Sequence, residues 1–201
     1  MIFYPHFVKE SSVVYTQTFV KGGIQLIGFT GKMLRSEHLS FRLLSDSDKN
    51  SLFQILHDPE TTLPAGFTPI LDRNTFEVFW KSLTEYNTGI AILLQDKCIG
   101  YFHVHPCQLN EPDFYSKKNV MIGFLIGKKH LRRGYGTETL VTLNPYLLQQ
   151  FDCIWGDYFE GNTASKELLQ KCGFRPISTY DMRFDELGGK TMHVFSNVLC
   201  R

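Results

Sequence analysis

One segment constrains the fold of this chain more than any other. Residues 120–126 are apolar without alternation, as in a strand buried on both faces. They run directly into Gly127-Lys128-Lys129-His130-Leu131-Arg132-Arg133-Gly134-Tyr135-Gly136-Thr137. A helical pattern then places Leu140, Leu143, Leu147 and Phe151 on one side, with Pro145 expected to bend it. The order is strand, basic glycine loop, helix. No acidic residue lies between Phe114 and Thr137, whereas Lys117, Lys118, Lys128, Lys129, Arg132 and Arg133 all do. A helix N-terminus offers free N–H groups and a partial positive charge. Glycines at 134 and 136 let the backbone approach an anion. Together these features suit a pyrophosphate. On glycine spacing alone, a surface turn with a solvated charge run fits equally well. The loop lacks Gly-Lys-Ser/Thr, and position 139 is threonine, so neither a Walker-type phosphate loop nor the G-x-G-x-x-G of a nicotinamide-binding unit is present.

The rest of the pattern reads as one mixed domain. Leu39, Phe41 and Leu43 alternate as a half-buried strand does. Ser45-Asp46 reads as a cap for a helix bearing Leu52, Phe53, Ile55 and Leu56, ended by Asp58-Pro59. After a loop marked by Pro64, Gly66 and Pro69, Asn74 reads as the cap of a helix with Phe76, Phe79, Trp80 and Leu83. Strands over 90–94 and 99–105 flank a Gln95-Asp96-Lys97 turn. Beyond the glycine loop come a strand at 153–158, a short helix capped by Asn162 and closed by Gly173, and strands near 175–184 and 191–199. The order β-α-α-β-β-β-α-β-α-β-β describes a mixed sheet with helices packed on it. Residues 1–33 follow no clear pattern and read as a hairpin, a loose arm or extension, or a stretch before a true start at Met33, with the domain over 34–201.

Composition narrows the function classes. Lys plus Arg is 21 against 20 Asp plus Glu, a net charge of +1, which argues against a dedicated nucleic-acid binder. No apolar run reaches the roughly 18 residues of a membrane span. The first ten residues do not resemble a secretion signal. The five cysteines form no C-x-x-C pair and are odd in number, which predicts buried free thiols, no zinc site and a reducing, cytoplasmic setting.

A second element follows the glycine loop: Asn162-Thr163-Ala164-Ser165-Lys166-Glu167-Leu168-Leu169-Gln170-Lys171-Cys172-Gly173-Phe174. R-R-G-Y-G-T-E, a helix, a strand and then N-x-x-S-x-x-L-L-x-K-x-G-F resemble the GCN5-related N-acetyltransferase (GNAT) superfamily. The serine three after the asparagine, with Asp58-Pro59-Glu60 after the first helix, resembles its RimJ/RimL branch. The resemblance spans about residues 34–200. It implies an α/β (α+β mixed) fold: a twisted, largely antiparallel sheet of about seven strands flanked by about four helices. It also implies acetyl-CoA as co-substrate, without a metal.

The resemblance assigns roles residue by residue. Phe124, Leu125 and Ile126 would run beside the pantetheine arm, with strand amides facing the thioester oxygen. Leu131, Arg132, Arg133, Gly134, Tyr135, Gly136 and Thr137 would hold the pyrophosphate, although Leu131 stands where many members carry Gln or Arg. Asn162 would cap its helix and touch the pantetheine arm. Ser165 would donate a proton to the leaving thiolate, because the tyrosine used by other branches is here Leu169. The strand carboxylate that related members use as a base is here Met121. His103 and His105, on one face of their strand, are the candidate bases. Glu138 reads as structural. The expected activity is acetyl transfer to a primary amine by direct attack in a ternary complex, with a protein or peptide N-terminus as acceptor. A polyamine or aminoglycoside acceptor, and a non-catalytic acyl-CoA sensor, are the alternatives. Monomer and dimer both remain open.

Overall fold

The computed structural model describes residues 33–107, 111–184 and 190–201. The arm predicted over 1–33 lies, up to residue 32, outside the described residues. The elements run β1 (Leu34–Arg35), β2 (Leu39–Leu43), α1 (Lys49–His57), α2 (Pro59–Thr62), α3 (Arg73–Thr84), β3 (Gly89–Leu94), β4 (Lys97–Pro106), β5 (Asn119–Ile126), α4 (Tyr135–Leu148), β6 (Cys153–Phe159), α5 (Thr163–Lys171), β7 (Arg175–Phe184) and β8 (Lys190–Cys200). They form an eight-stranded sheet in the order β1-β2-β3-β4-β5-β6-β8-β7. All neighbours are antiparallel except β5 and β6.

Local chemistry sets the boundaries. Asp72 rather than Asn74 caps α3, accepting from the Thr75 amide at 2.9 Å. The β3–β4 turn is two residues long, and both Gln95 and Asp96 take positive φ, as the tight hairpin twist demands even without glycine. Gly173 follows α5 at φ +85°, the left-handed stop expected of it. Asp58 ends α1 and at once caps α2, a turn expected as loop. Pro145 sits inside α4, which runs on to Leu148.

The sheet buries both faces. On one, Ile122, Ile126 and Ile154 pack with Leu140, Leu143 and Leu147 of α4 and Leu169 of α5. On the other, Tyr101 and Leu125 pack with Leu52 and Leu56 of α1 and Phe76, Phe79 and Leu83 of α3. Buried Leu and Phe side chains each contribute about 2 kcal/mol, so these two layers carry much of the stability. Glu138 ties α4 to the sheet edge: its carboxylate accepts from the Ser36 hydroxyl at 2.6 Å and from the His38 and Leu39 amides at 2.7 and 3.1 Å.

Contrary to the expectation from sequence, the five cysteines are not all free thiols. Cys153 and Cys200 form a disulfide. They lie 47 residues apart in sequence, but β6 and β8 place them directly opposite, with Cα atoms 4.2 Å apart. Spacing in sequence could not reveal a pairing set by strand register. The inference of a reducing setting from unpaired cysteines falls with it. Cys98, Cys107 and Cys172 are free thiols. Among the described residues no helix is long and apolar enough to cross a membrane.

Candidate active site

The site begins where the sheet comes apart. β4 and β5 stay paired from Pro106↔Val120 to Gly100↔Ile126. β5 and β6 pair only at Asn119↔Cys153, Val120↔Ile154 and Met121↔Trp155, while β6 stays paired with β8 to Phe159↔Val194. Residues 122–126 therefore diverge from residues 156–159. The Gly127 amide donates to the Ile99 carbonyl at 2.9 Å. Antiparallel alternation then turns the peptide groups of Leu125 and Gly123 toward β4 and those of Ile126, Phe124 and Ile122 toward the divergence. Of the expected pantetheine residues, Phe124 and Ile126 thus present main-chain groups there. Leu125 instead sends its side chain into the α1–α3 layer.

The glycine loop sits at the end of β5. Its first turn is anchored to α2: Thr61 Oγ1 accepts the Lys128 amide at 3.0 Å and donates to Asp58 at 2.8 Å. Glu60 forms an ion pair with the Lys128 ammonium. The Asp58-Pro59-Glu60 stretch therefore fixes the loop, and Lys128 is committed to Glu60. Farther along, Arg132 takes φ +58° and Gly134, the residue before α4, φ +82°. A side chain is strained at such an angle, so Gly134 is needed for backbone shape; a β-carbon there would meet nothing within 4 Å. Gly136 is needed for a different reason: a β-carbon would come within 3.1 Å of Leu168 and 3.7 Å of Phe124. The first helical bond of α4 runs from the Glu138 amide to the Gly134 carbonyl at 3.0 Å. The amides of Tyr135, Gly136 and Thr137 thus have no helical acceptor. Arg132 and Arg133 are exposed, as is Leu131, while Tyr135, Gly136 and Thr137 are half-buried. Burial, then the charges of Arg133 and Lys129, hold the His130 imidazole below its usual range. The loop is thus a locally positive environment with unsatisfied donors, which fits a pyrophosphate. A cavity of about 590 Å³ lies beside the β3–β4 turn, lined by both acidic and basic side chains, among them Asp48, Asp96, Lys97 and His130.

The Gly136–Leu168 contact packs the first turn of α4 against the second turn of α5, beside Phe124. Asn162 caps α5, its Oδ1 accepting the Ser165 amide at 3.0 Å. Ser165 lies half-buried on that first turn. Leu169 is fully buried against Gly156, so the position that carries tyrosine in other branches is here core.

The opposite face carries the candidate bases. His103 and His105 stack with ring centres 5.1 Å apart. His103 is 8% exposed, and its Nε2 lies 3.2 Å from the Thr88 hydroxyl. Burial, then the neighbouring His105, push its pKa well below the ordinary 6.5. It is held neutral, which makes it a weak proton acceptor. His105 Nδ1 lies 3.2 Å from the Pro106 carbonyl, and its strand partner is Met121.

Sequence reasoning passed over Asp157 on β6. Its carboxylate is 1% exposed and accepts from the Tyr180 hydroxyl at 2.7 Å and the Ser196 hydroxyl at 2.8 Å. The available signal was a lone charge inside Cys-Ile-Trp-Gly-Asp-Tyr-Phe, a strand buried along its whole length.

Comparison with known proteins agrees with this arrangement. The acetyltransferase (GNAT) domain family matches residues 38–175. No curated relative matches the sequence significantly. Among similar solved structures, a GNAT-family acetyltransferase from Bacillus anthracis superposes with a TM-score of 0.68 at 15% identity, covering 84% of this chain and 98% of that one. A ribosomal-protein-alanine N-acetyltransferase from Brucella melitensis gives 0.61 at 15% identity, over 80% and 99%. Mycobacterium smegmatis RimJ, in complex with CoA-disulfide, gives 0.63 at 14% identity, over 81% of each chain. At these identities the structural likeness is one of fold. With the family match spanning most of the chain, and with a diverging β5–β6 pair beside a donor-rich helix start, the chain belongs to the GNAT family and is an acetyl-CoA-dependent N-acetyltransferase.

Proposed function

We infer that the acceptor is the amino group of a protein or peptide N-terminus, acetylated within a ternary complex. The observation that carries this reading is the turn Asn162-Thr163-Ala164-Ser165 at the start of α5, with Leu169 buried where other branches place tyrosine. That combination resembles the RimJ/RimL branch, and a ribosomal-protein acetyltransferase is among the structures of similar fold. In this reading the amides of Tyr135, Gly136 and Thr137, with Arg132 and Arg133, hold the pyrophosphate. The pantetheine arm follows the β5 edge at Phe124 and Ile126, and Asn162 orders the α5 turn against it. Donors aimed at the thioester oxygen as it gains charge contribute about 3 kcal/mol. Ser165 delivers a proton to the leaving sulfur. Seating both substrates in one groove supplies much of the remaining rate by positioning.

Mass spectrometry of products tests the acceptor. The enzyme is incubated with acetyl-CoA and a panel of N-terminal peptides, lysine peptides, spermidine and an aminoglycoside. Acetylation at peptide α-amines supports the reading. Acetylation confined to spermidine or the aminoglycoside replaces it with a small-amine activity. Acetyl-CoA binding without any product replaces it with a sensor role.

A further inference from the structure

The strand position where related members carry a base holds Met121, and His103 is held neutral by burial. A carboxylate is nonetheless present on the same face, on the other strand of the divergence. Asp157 lies two residues beyond the last β5–β6 pair, Met121↔Trp155, where the two strands have parted. Across Gly123, on β4, stands His103. Next on the Asp157 side of β6 comes Phe159, which packs against Gly66 in the α2–α3 connection. Asp157 is therefore on the α1–α3 face, opposite the first turns of α4 and α5.

We propose that Asp157 is the group that receives the acceptor amine, holding its ammonium by charge and taking its proton before attack. This rests on the N-acetyltransferase assignment and not on which amine is the natural acceptor.

Taking a carboxylate out of water is costly unless its charge is compensated. Two hydroxyl donors, Tyr180 from β7 and Ser196 from β8, fix its orientation without supplying a positive charge. Such a group attracts a cation, and an ammonium provides one. Burial raises the Asp157 pKa, more than the bonds from Tyr180 and Ser196 and the charge of the chain's amino terminus lower it, which makes it a better proton acceptor. The neighbouring Cys107 thiol, pushed up by burial and then by the Asp157 charge, stays protonated and does not compete. The proton balance closes. The ammonium gives one proton to Asp157, which passes it to solvent. The neutral amine attacks the thioester carbon, a C–N bond forms and the C–S bond breaks. The nitrogen loses a second proton as the sulfur gains one. The products are the amide, the CoA thiol and one released proton. Acid and base then stand on opposite faces of the divergence, Ser165 on the side of the leaving sulfur and Asp157 on the side of the entering nitrogen.

The test compares wild type with Asp157→Asn and Asp157→Glu, with CoA release followed by mass spectrometry. The probes are a mixture of N-terminal tetrapeptides and spermidine, and acetyl-CoA affinity is measured by calorimetry. The expected result for Asp157→Asn is a fall of at least about 100-fold in kcat. Acetyl-CoA affinity stays within about twofold, alkaline pH restores part of the rate because more amine is already neutral, and Asp157→Glu recovers part of it. A folded Asp157→Asn enzyme with near-wild-type kcat overturns the proposal. So does a parallel loss of acetyl-CoA binding and thermal stability in both variants. If Asp157→Asn does not fold, Tyr180→Phe removes one donor and makes the carboxylate more basic; the acidic limb of the kcat profile then moves to higher pH, and an unmoved limb overturns the proposal. If wild type acetylates no probe, the N-terminal acceptor reading falls, while Asp157 is still read from acetyl-CoA hydrolysis: Asp157→Asn slows the attack of water, or the proposal fails.

Discussion

On the α4–α5 face of the diverging strands, the candidate contacts are mainly backbone: the amides of Phe124 and Ile126 on β5 and those of residues 135–137 at the start of α4. On the α1–α3 face they are side chains from separate strands: His103 and His105 on β4, Asp157 on β6, Tyr180 on β7 and Ser196 on β8. The first is contiguous in sequence and local in its physics. The second exists only once strands far apart in the chain are in register. Groups from a backbone turn can recognise the same ligand portion in many related proteins. Groups from assembled side chains can change one at a time, which suits a face that must fit different acceptors.

Three measurements sharpen that contrast. The largest expected effect lies where the two faces meet the reacting atoms. Ser165→Ala should lower kcat by about 100-fold, with acetyl-CoA affinity little changed, because the hydroxyl acts only as the sulfur leaves. Steady-state kinetics with calorimetry checks this, and an unchanged kcat removes Ser165 from proton transfer. Next, charge removal in an Arg132→Ala/Arg133→Ala double variant should weaken acetyl-CoA binding by about tenfold near physiological salt, and by less at high salt, because exposed charges are screened. Titrations at two ionic strengths read this directly; a loss independent of salt would place the binding in the backbone amides alone.

The smallest effect is structural. Burial pushes the Glu138 carboxyl up, but hydrogen bonds from Ser36, His38 and Leu39 outweigh it and hold the pKa below the ordinary 4.5. Because the folded value is depressed, its stabilisation is present above the unfolded value and is lost as pH falls through the folded one. Glu138→Gln should therefore cost about 1–2 kcal/mol near neutral pH and progressively less in acid. Thermal unfolding of both proteins across that range checks it. Neither kcat nor acceptor preference should change, since the Glu138 carboxylate is taken up by Ser36, His38 and Leu39 in holding the β1–β2 edge to α4.

How much could be read in advance follows the same division. Gly134 and Gly136 stood out in sequence because backbone geometry demands them, yet for different reasons. Gly134 satisfies a left-handed turn, whereas Gly136 admits Leu168 and Phe124, a contact made by a helix that begins beyond the next strand. Asn162 was legible as a cap because capping is settled within three residues. The Lys128 charge counted toward the loop in sequence is in fact engaged by Glu60, and Leu125 turns from the divergence into the α1–α3 layer. Asp157 escaped notice because a single acid in a strand signals nothing until its donors arrive from β7 and β8.

The order of the longer elements, the donor-rich helix start and the family were legible in the sequence, though β1 and α2 were not, since each depends on side-chain periodicity, turn chemistry or contiguous motifs. The parting of β5 and β6 after Met121, the meeting of Cys153 with Cys200 and the burial of Asp157 between two hydroxyl donors were not. Those outcomes depend on strand register, which couples residues tens of positions apart and leaves no local trace.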